Sequence, residues 1–495
     1  MNLDELRLEI DKIDNELIKL FSARMDVAAE IAKYKQENGL PVFDPSRESA
    51  KLEDIASRLP ADKQDDAKLL YSLLFELSRN RQTRIMQSGL KCGLLGRKLG
   101  HSYSPQIHSM LAGYEYKLYE KEPEELEAFL KSGEFDGLNV TIPYKKSVIS
   151  YCDELSDTAR KIGSVNTIVR RKDGTLFGDN TDAFGFEALL NHNGISVADK
   201  KCLVLGTGGA AVTVCAVLEN SGAKDVITIS RSGDNNYENI AKHADADIIV
   251  NATPVGMYPD NGEKCVDLSI FKNCSGVLDV VYNPARTALL LQAEELNIPN
   301  ACGLYMLVAQ AKKSCEDFTG NTVPEGEISR IEAALQKQMQ NIVIVGMPGS
   351  GKSTVANALS EKLKRRVIDT DSEIVSRAGM EIPEIFEKYG EEHFRELETE
   401  VLADVGKLGG VIISTGGGCV TRKENYPLLH QNGTIIWIKR DTALLPTEGR
   451  PISMGNDLNL LYMIRRPFYE CFADIVVGND GTIDETVSAI MEEIK

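Results

Sequence analysis

Between Leu3 and Asn38 the chain contains neither glycine nor proline. Along that stretch Leu3, Leu6, Ile10, Ile13, Leu17, Leu20 and Phe21 recur at helical spacing. A helix of ~36 residues would be ~54 Å long at 1.5 Å per residue. A globule made of residues 1–88 alone is much narrower than that, with a radius of gyration of roughly 13 Å. Such a helix needs a partner chain or a coiled-coil-like neighbour to cover its apolar stripe. The pattern stops at Gly39-Leu40-Pro41 and resumes as helices from about Ser46 to Arg58 and from about Asp65 to Met86. Residues 1–88 are therefore expected to form an all-α domain.

The texture then changes. From Cys92, apolar strands such as Gly93-Leu94-Leu95-Gly96, Gly137 to Ile142 and Lys201 to Gly206 alternate with helical stretches, which indicates parallel α/β structure. It continues to about Thr319; turn residues fill Gly320 to Gly326, and Glu327 to Gln340 reads as one more helix. Asn341 to Gly346 opens a second α/β region that runs to Lys495. The expected architecture is multidomain: helices over 1–88, an α/β unit over 91–338 and a second over 341–495. At about 150 residues per domain, 495 residues fit that division. The net charge is 56 − 74 = −18, with no basic tract, which argues against a nucleic-acid partner. No apolar run reaches the ~18 residues a membrane span needs, and Met1 to Asp11 is too acidic for a signal or transit peptide. Ten cysteines without a C-x-x-C pair fit a reducing cytosol, and six histidines without H-x-x-x-H spacing do not suggest His-based metal catalysis.

In the helical region Arg24 and Lys35 are eleven residues apart, ~3.06 turns, so they share a face. Arg7 lies about 100° away around the axis and cannot easily serve the same pocket. Ser78 and Gln82 share a face at i, i+4. A solvated, salt-bridged coiled coil accounts for this pattern as well. The run Leu6-Arg7, Ser22-Ala23-Arg24, Lys33-Tyr34-Lys35, Asp44, Arg47-Glu48, Ser78 and Gln82 resembles the all-helical chorismate mutases. That resemblance implies a site lined by Arg7, Arg24, Lys35, Arg47, Glu48 and Gln82 and completed by Asp44 and Ser78. Arginines would clamp the dicarboxylate in its reactive conformer. Lys35 and Gln82 would stabilise charge growing on the ether oxygen.

Leu203 to Ala211 carries G-x-G-x-x-A between a strand and a helix. Gly206 permits the turn, Gly208 lets the backbone approach a pyrophosphate, and Ala211 allows close helix packing, with Gly209 and Ala210 between them. The next strand ends at Ser230-Arg231, 25 residues after Gly206. An arginine there suits the 2′-phosphate of NADP. Polar clusters lie in His101-Ser102-Tyr103-Ser104-Pro105, Asn139 to Lys145, Ser164 to Thr167 and Gly178 to Asp182. Together with Gly303 to Ala311 they resemble shikimate dehydrogenase over residues 91–338. The resemblance implies a substrate part at about 91–190 and 302–338 and an NADP-binding Rossmann part at about 191–301. Lys145 and Asp182 would be the catalytic pair, with Lys145 protonating the alkoxide formed from the C3 ketone of 3-dehydroshikimate. Ser102 and Ser104 would hold the carboxylate; Thr141, Asn166 and Gln310 would bind ring hydroxyls. Asn251, Thr253 and Tyr282 match further cofactor- and substrate-side positions. His101 and His108 read as packing or loop residues, and Phe318 stands where this family has Trp.

Gly346-Met347-Pro348-Gly349-Ser350-Gly351-Lys352-Ser353-Thr354 fits G-x-x-x-x-G-K-[ST] after an apolar strand. Its backbone N–H groups, from Gly349 to Thr354, would cradle ATP phosphates. Lys352 would reach the transferred phosphate and Ser353 would ligate Mg²⁺. With Asp369-Thr370-Asp371, His393-Phe394-Arg395, Gly416-Gly417-Gly418, Gly449-Arg450-Pro451 and Arg465-Arg466-Pro467, the region resembles shikimate kinase. The resemblance implies that Asp371 deprotonates the 3-hydroxyl of shikimate and that Arg395 and Arg465 pair with its carboxylate. The Gly416, Gly417 and Gly418 backbone would lie against the substrate. Asp369 would help hold Mg²⁺, and Arg450 would meet the phosphoryl from a lid. Lys439 to Gly449 is short for that lid and offers no clear adenine-stacking arginine.

The sequence thus points to a fused shikimate-pathway enzyme using NADP(H), ATP and Mg²⁺, dimeric through its N-terminal helices. Two other readings compete. The N-terminal helices could be a dimerisation or prephenate-sensing module, against which stands the complete polar set. The middle unit could be a quinate or catabolic NAD enzyme, against which stands Arg231.

Overall fold

The computed structural model describes residues 2–100, 102–445 and 458–494. Arg450 and His101 lie outside the described residues. The chain falls into two compact units, residues 1–181 with 311–327, and 182–310 with 328–495.

The first unit opens with the helices Leu3–Glu37, Pro45–Ser57 and Gln64–Gln87. The long helix starts in a capping box, Asn2 with Glu5, and stops before Gly39, whose φ of 63° a side chain would disfavour. Met25, Ala28 and Ala32 are buried, against Leu3 at 63%, Ile10 at 58% and Ile13 at 60% exposure. The N-terminal half of the apolar stripe is therefore uncovered within one chain.

The same unit holds a six-stranded sheet in the order Glu115–Glu120, Lys91–Gly96, Gly137–Val140, Thr167–Arg170, Leu176–Asp179, Glu154–Leu155. This sheet is mixed rather than purely parallel. Thr167–Arg170 runs antiparallel to both of its neighbours. A tight hairpin at Arg171-Lys172-Asp173-Gly174-Thr175 joins it to Leu176–Asp179. Asp173 caps the turn through Thr175, and Gly174 supplies φ 88°. The third strand ends at Val140, two residues short of the expected Ile142. Phe318 packs its ring where a Cβ on Gly137 would sit, 2.3 Å away, so it is a core residue here. His108 is also core. It stacks on Tyr116 at 4.0 Å, its Nδ1 lies 2.6 Å from the Tyr114 hydroxyl, and burial pushes its imidazole down to about 3.

The second unit contains two five-stranded, wholly parallel sheets. One runs Asn300–Cys302, Gly276–Asp279, Ile248–Asn251, Lys201–Leu205, Asp225–Ile229. The other runs Val367–Asp369, Ile412–Ser414, Asn341–Val345, Gly433–Lys439, Ile475–Gly478. Both are buried on two faces, which is why their strands read as continuous apolar runs. Among the described residues no helix is long and apolar enough to cross a membrane.

The two α/β parts of this unit bond directly to each other. Ala285 N–H donates to Asn432 Oδ1 (2.9 Å), Arg286 Nη1 to the His430 carbonyl (3.1 Å) and Asn261 Nδ2 to Gln431 Oε1 (2.7 Å). His430 is buried between Glu294 and Asp474, each 3.5 Å away, and stacks on Tyr426. Burial pushes its imidazole down, but Asp474 and Glu294 outweigh this and raise it, against a smaller lowering by Arg286. Burial likewise raises both carboxyls, and His430 with its neighbours outweighs that and lowers them. A raised folded pKa stabilises fully below the unfolded value of about 6.5 and is lost as pH climbs through the folded value. The carboxylates lose their contribution as pH falls through their depressed values. We therefore expect His430→Gln to lower the unfolding midpoint more at pH 6 than at pH 9, read from the single tryptophan, Trp437. An equal drop at both pH values would remove the ionic account.

Candidate active sites

In the helical region the structure brings Arg24 to Ser78, with Gln82 about one turn along the same helix as Ser78 and Lys35 about three turns along the helix of Arg24. Arg24 Nη1 donates to the Leu74 carbonyl (2.9 Å) and to the Ser78 hydroxyl, with Phe75 beneath the guanidinium. Lys35 Nζ donates to the Val42 carbonyl (2.6 Å); burial lowers its pKa, and Asp44 opposes the shift. Gln82 is buried and its Oε1 has no hydrogen-bond partner among the described residues. Glu48 pairs with Arg79, which in turn lies over Phe43. Asp44 is used locally, as the N-cap of Pro45–Ser57, accepting from Arg47 N–H (3.1 Å) and Ser46 Oγ (2.7 Å). The Arg47 side chain is exposed. Arg7 is not brought to these residues; it is exposed and lies 3.6 Å from Asp4.

In the six-stranded sheet the polar loops converge beyond the strand ends. Lys145 sits in a turn held from both sides. Tyr144, buried, donates its hydroxyl to the Lys121 carbonyl (2.5 Å), and Val165 N–H donates to the Lys145 carbonyl (2.8 Å). Thr141 N–H donates to the Leu95 carbonyl at the start of the same turn. Ser102 Oγ accepts from Ser104 N–H (3.2 Å) at the head of the Ser104–Leu111 helix, and the Ser104 side chain bonds to Tyr116. Asn166 is buried, its Oδ1 taking the Thr181 N–H at 2.7 Å. Asp182 and Gln310, both buried, and the half-buried Tyr282 belong to the second unit.

The dinucleotide loop fits the group its sequence implies. Gly206 has φ 113°, and a Cβ there would meet Thr253 Cγ2 at 2.9 Å. Nothing lies within 4 Å of a Cβ on Gly208, so the N-terminus of Gly209–Asn220, with Ala210 in its first turn, is open to a ligand. Ala211 is buried, as close packing requires. Ser230 Oγ is used by Gly233 N–H (2.8 Å). Arg231 is exposed and makes no hydrogen bond or ion pair among the described residues. Asn251 Oδ1 accepts from Thr253 N–H and Oγ1, and its Nδ2 donates to Asp279 (3.0 Å).

The phosphate loop lines a cleft of about 690 Å³ together with Asp369, Asp371, Arg395, Arg440 and Arg465. Gly349 and Gly351 have φ of 85° and 93° and turn successive N–H groups toward the cleft. Lys352 Nζ donates to the Gly346 and Met347 carbonyls, both at 3.0 Å. Ser353 Oγ and Asp369 Oδ2 are 2.9 Å apart, close enough to share one cation. Arg395 is buried against Glu398 (2.7 Å), and a Cβ on Gly418 would sit 2.2 Å from its Nη2. A side chain at 418 would therefore displace the guanidinium from this position. A Cβ on Gly416 would meet Asp371 Oδ1 at 2.8 Å, and one on Gly417 would meet Pro348. Arg465 (3.0 Å) and Tyr469 (2.6 Å) both donate to the Gly417 carbonyl.

The shikimate kinase family model matches residues 348–495, and the chorismate mutase type II model matches residues 6–83. The model of the shikimate dehydrogenase substrate-binding domain matches residues 94–168. The shikimate dehydrogenase (NADP(+)) of Clostridium beijerinckii is 40% identical over 244 residues, covering 45% of this chain and 90% of that protein. The chain belongs to the shikimate dehydrogenase family. The enzyme of the same name from Methanosphaera stadtmanae is 36% identical over 260 residues, covering 46% and 91%. The crystal structure of a chorismate mutase/shikimate 5-dehydrogenase fusion protein from Clostridium acetobutylicum shares 36% identity, with a TM-score of 0.48. It covers 50% of this chain and 97% of that one. A chorismate mutase domain precedes the dehydrogenase and a shikimate kinase domain follows it, making the chain a multifunctional enzyme.

Several residues of these domains escaped the sequence reading. In the kinase, Glu398 holds Arg395 from three positions away on the same helix, a spacing that could have been noticed. Arg440 lines the cleft, and its buried Nε has no partner among the described residues. In the dehydrogenase, Asp279 ties Asn251 to Thr287 and the Val281 N–H; burial pushes its carboxyl up to about 6. In the mutase, Arg79 holds Glu48.

Proposed function

We propose that the chain catalyses three reactions: chorismate to prephenate, 3-dehydroshikimate to shikimate, and shikimate to shikimate 3-phosphate. Domain limits of 1–88, 91–338 and 341–495 go with this reading, as do a cytosolic location and a two-fold dimer through the N-terminal helices. The observation that carries it furthest is the one cleft in which Lys352, Asp371 and two buried arginines, Arg395 and Arg465, meet.

In the mutase, Arg24 and Arg47, with Arg7 from a second copy, clamp the two carboxylates of chorismate, beside Asp44, Glu48 and Ser78. Lys35 and Gln82 face the breaking ether C–O bond, where negative charge grows only in the transition state. No nucleophile is needed. In the dehydrogenase, bound NADPH supplies the hydride. Ser102 and Ser104 hold the carboxylate, while Thr141, Asn166, Gln310 and Tyr282 orient the ring. Lys145 protonates the new alkoxide oxygen and Asp182 orients the Lys145 amine. In the kinase, Asp371 takes the proton of the attacking hydroxyl while Arg395, Arg465 and the Gly416–Gly418 backbone hold shikimate. Lys352 and Arg450 stabilise charge on the transferring phosphoryl. Ser353 and Asp369 would hold Mg²⁺, which would supply charge neutralisation to the phosphate oxygens of ATP.

Three separate assays on the intact purified chain test this reading, and an absent activity removes the corresponding third of it. Cofactor choice is a sharper test. Arg231, exposed and without a hydrogen bond or ion pair among the described residues, would bond bidentately to a 2′-phosphate. A charge-assisted bond contributes about 1.5–3 kcal/mol, so kcat/KM should favour NADP over NAD by roughly 10–100-fold. Arg231→Asp should erase that preference. A wild-type chain indifferent to the two cofactors would sink the assignment.

A further inference from the structure

Behind the dehydrogenase loops lies a cluster of polar side chains that the proposed chemistry does not use. Asn139, Thr167, Thr181 and Ser314 are all at most 5% exposed. They come from two strands, the start of one helix and the middle of another. Buried polar groups are costly unless bonded, and these are bonded to one another. Asn139 Nδ2 donates to Ser314 Oγ (2.7 Å) and Thr167 Oγ1 (3.3 Å). Ser314 Oγ is 3.2 Å from Thr167 Oγ1 and 3.0 Å from Thr181 Oγ1. Tyr116 donates its hydroxyl to Asn139 Oδ1 (2.8 Å), which fixes the sense of the Asn139 amide.

We propose that Asn139 and Ser314 are positioning residues of the dehydrogenase: they hold the Asn166 side chain with both amide hydrogens turned to the substrate. This rests on the reading of Asn166 as a substrate-binding residue. The orientation follows from donor and acceptor identity. Asn166 Oδ1 accepts from Thr181 N–H (2.7 Å), Thr167 Oγ1 (3.1 Å) and Thr181 Oγ1 (3.2 Å). A flipped amide would set its NH₂ against a peptide N–H, two donors face to face. Thr167 Oγ1 accepts from Asn139 Nδ2, which leaves its own proton for Asn166 Oδ1. Thr181 Oγ1, 3.0 Å from both Thr167 Oγ1 and Ser314 Oγ, is tied into the same network. The Asn166 Nδ2 group makes no hydrogen bond among the described residues. A substrate hydroxyl there must therefore present its oxygen, so the network sets the polarity of the subsite.

The test is a double-mutant cycle on the full chain, read as KM and kcat for shikimate oxidation. A neutral hydrogen bond is worth about 0.5–1.5 kcal/mol. Ser314→Ala should therefore raise KM roughly twofold to twelvefold. The kcat should stay within about twofold, because the bond to Asn166 is the same in ground and transition states. In the Asn166→Ala background the same change should have less than about a twofold effect, since the residue through which it acts is gone. Equal factors in both backgrounds would overturn the inference and leave Ser314 a packing residue. An Asn166→Ala chain with unchanged KM would remove the substrate-binding reading itself, and the inference with it. Circular dichroism and thermal unfolding of the same chains report folding, and Ser314→Cys carries the same cycle if the alanine variant does not fold.

Discussion

Lys145→Ala should lower shikimate oxidation by roughly 10²–10⁴-fold, the usual range for loss of a positioned proton donor. ATP-dependent phosphorylation of shikimate by the same chain should stay within about twofold. The first expectation follows from the turn that carries Lys145. Its backbone is pinned by the buried Tyr144 ring, by the Tyr144 bond to the Lys121 carbonyl and by Val165 N–H on the Lys145 carbonyl. None of these needs the lysine side chain, so truncation removes an amine and leaves the loop. The second follows from the kinase cleft, whose lining residues all fall between Pro348 and Arg465, in the other compact unit. A loss of less than tenfold would mean that another group protonates the alkoxide. Joint loss of both activities in a folded variant would mean that the sites are not independent.

What could be read from the sequence was what is contiguous. The Leu3–Glu37 helix announced itself because nothing in it breaks the period, and the phosphate loop because nine consecutive residues carry the whole device. The hairpin at Asp173-Gly174 had a local signal too, but alternating strands and helices dominated the reading and hid an antiparallel strand. The buried polar cluster had no such signal. Asn139 and Ser314 are 175 residues apart in sequence, and each taken alone is an ordinary polar residue on a strand or a helix. Asp279 was hidden for a similar reason: its acceptors serve residues 28 positions before it and 8 after it. Likewise the bonds from Arg286 to Gln431 and His430 join parts of the chain that only the fold brings together.

The long helix carries the last expectation. Arg7 precedes Arg24 by 17 residues, about 25 Å along the axis at 1.5 Å per residue. No arginine side chain spans that, so within one chain Arg7 cannot reach Arg24, Lys35 or Gln82. It does lie in the half of the helix whose apolar side chains are uncovered, beside Leu6 at 46% and Ile10 at 58% exposure. A second copy laid antiparallel over that stripe would bury it and carry Arg7 into the neighbouring pocket. Arg7→Ala and Arg24→Ala chains should each be nearly inactive as mutases. In a mixed dimer one pocket receives both defects and the other receives neither, so activity should return towards one working pocket per heterodimer. Dehydrogenase and kinase activities should stay constant throughout and report on folding. If subunit exchange is verified and no mutase activity returns, Arg7 is only a surface partner of Asp4 and the shared pocket is wrong. If the chain runs as a monomer yet is a full mutase, the uncovered stripe has some other occupant and the dimer falls with it.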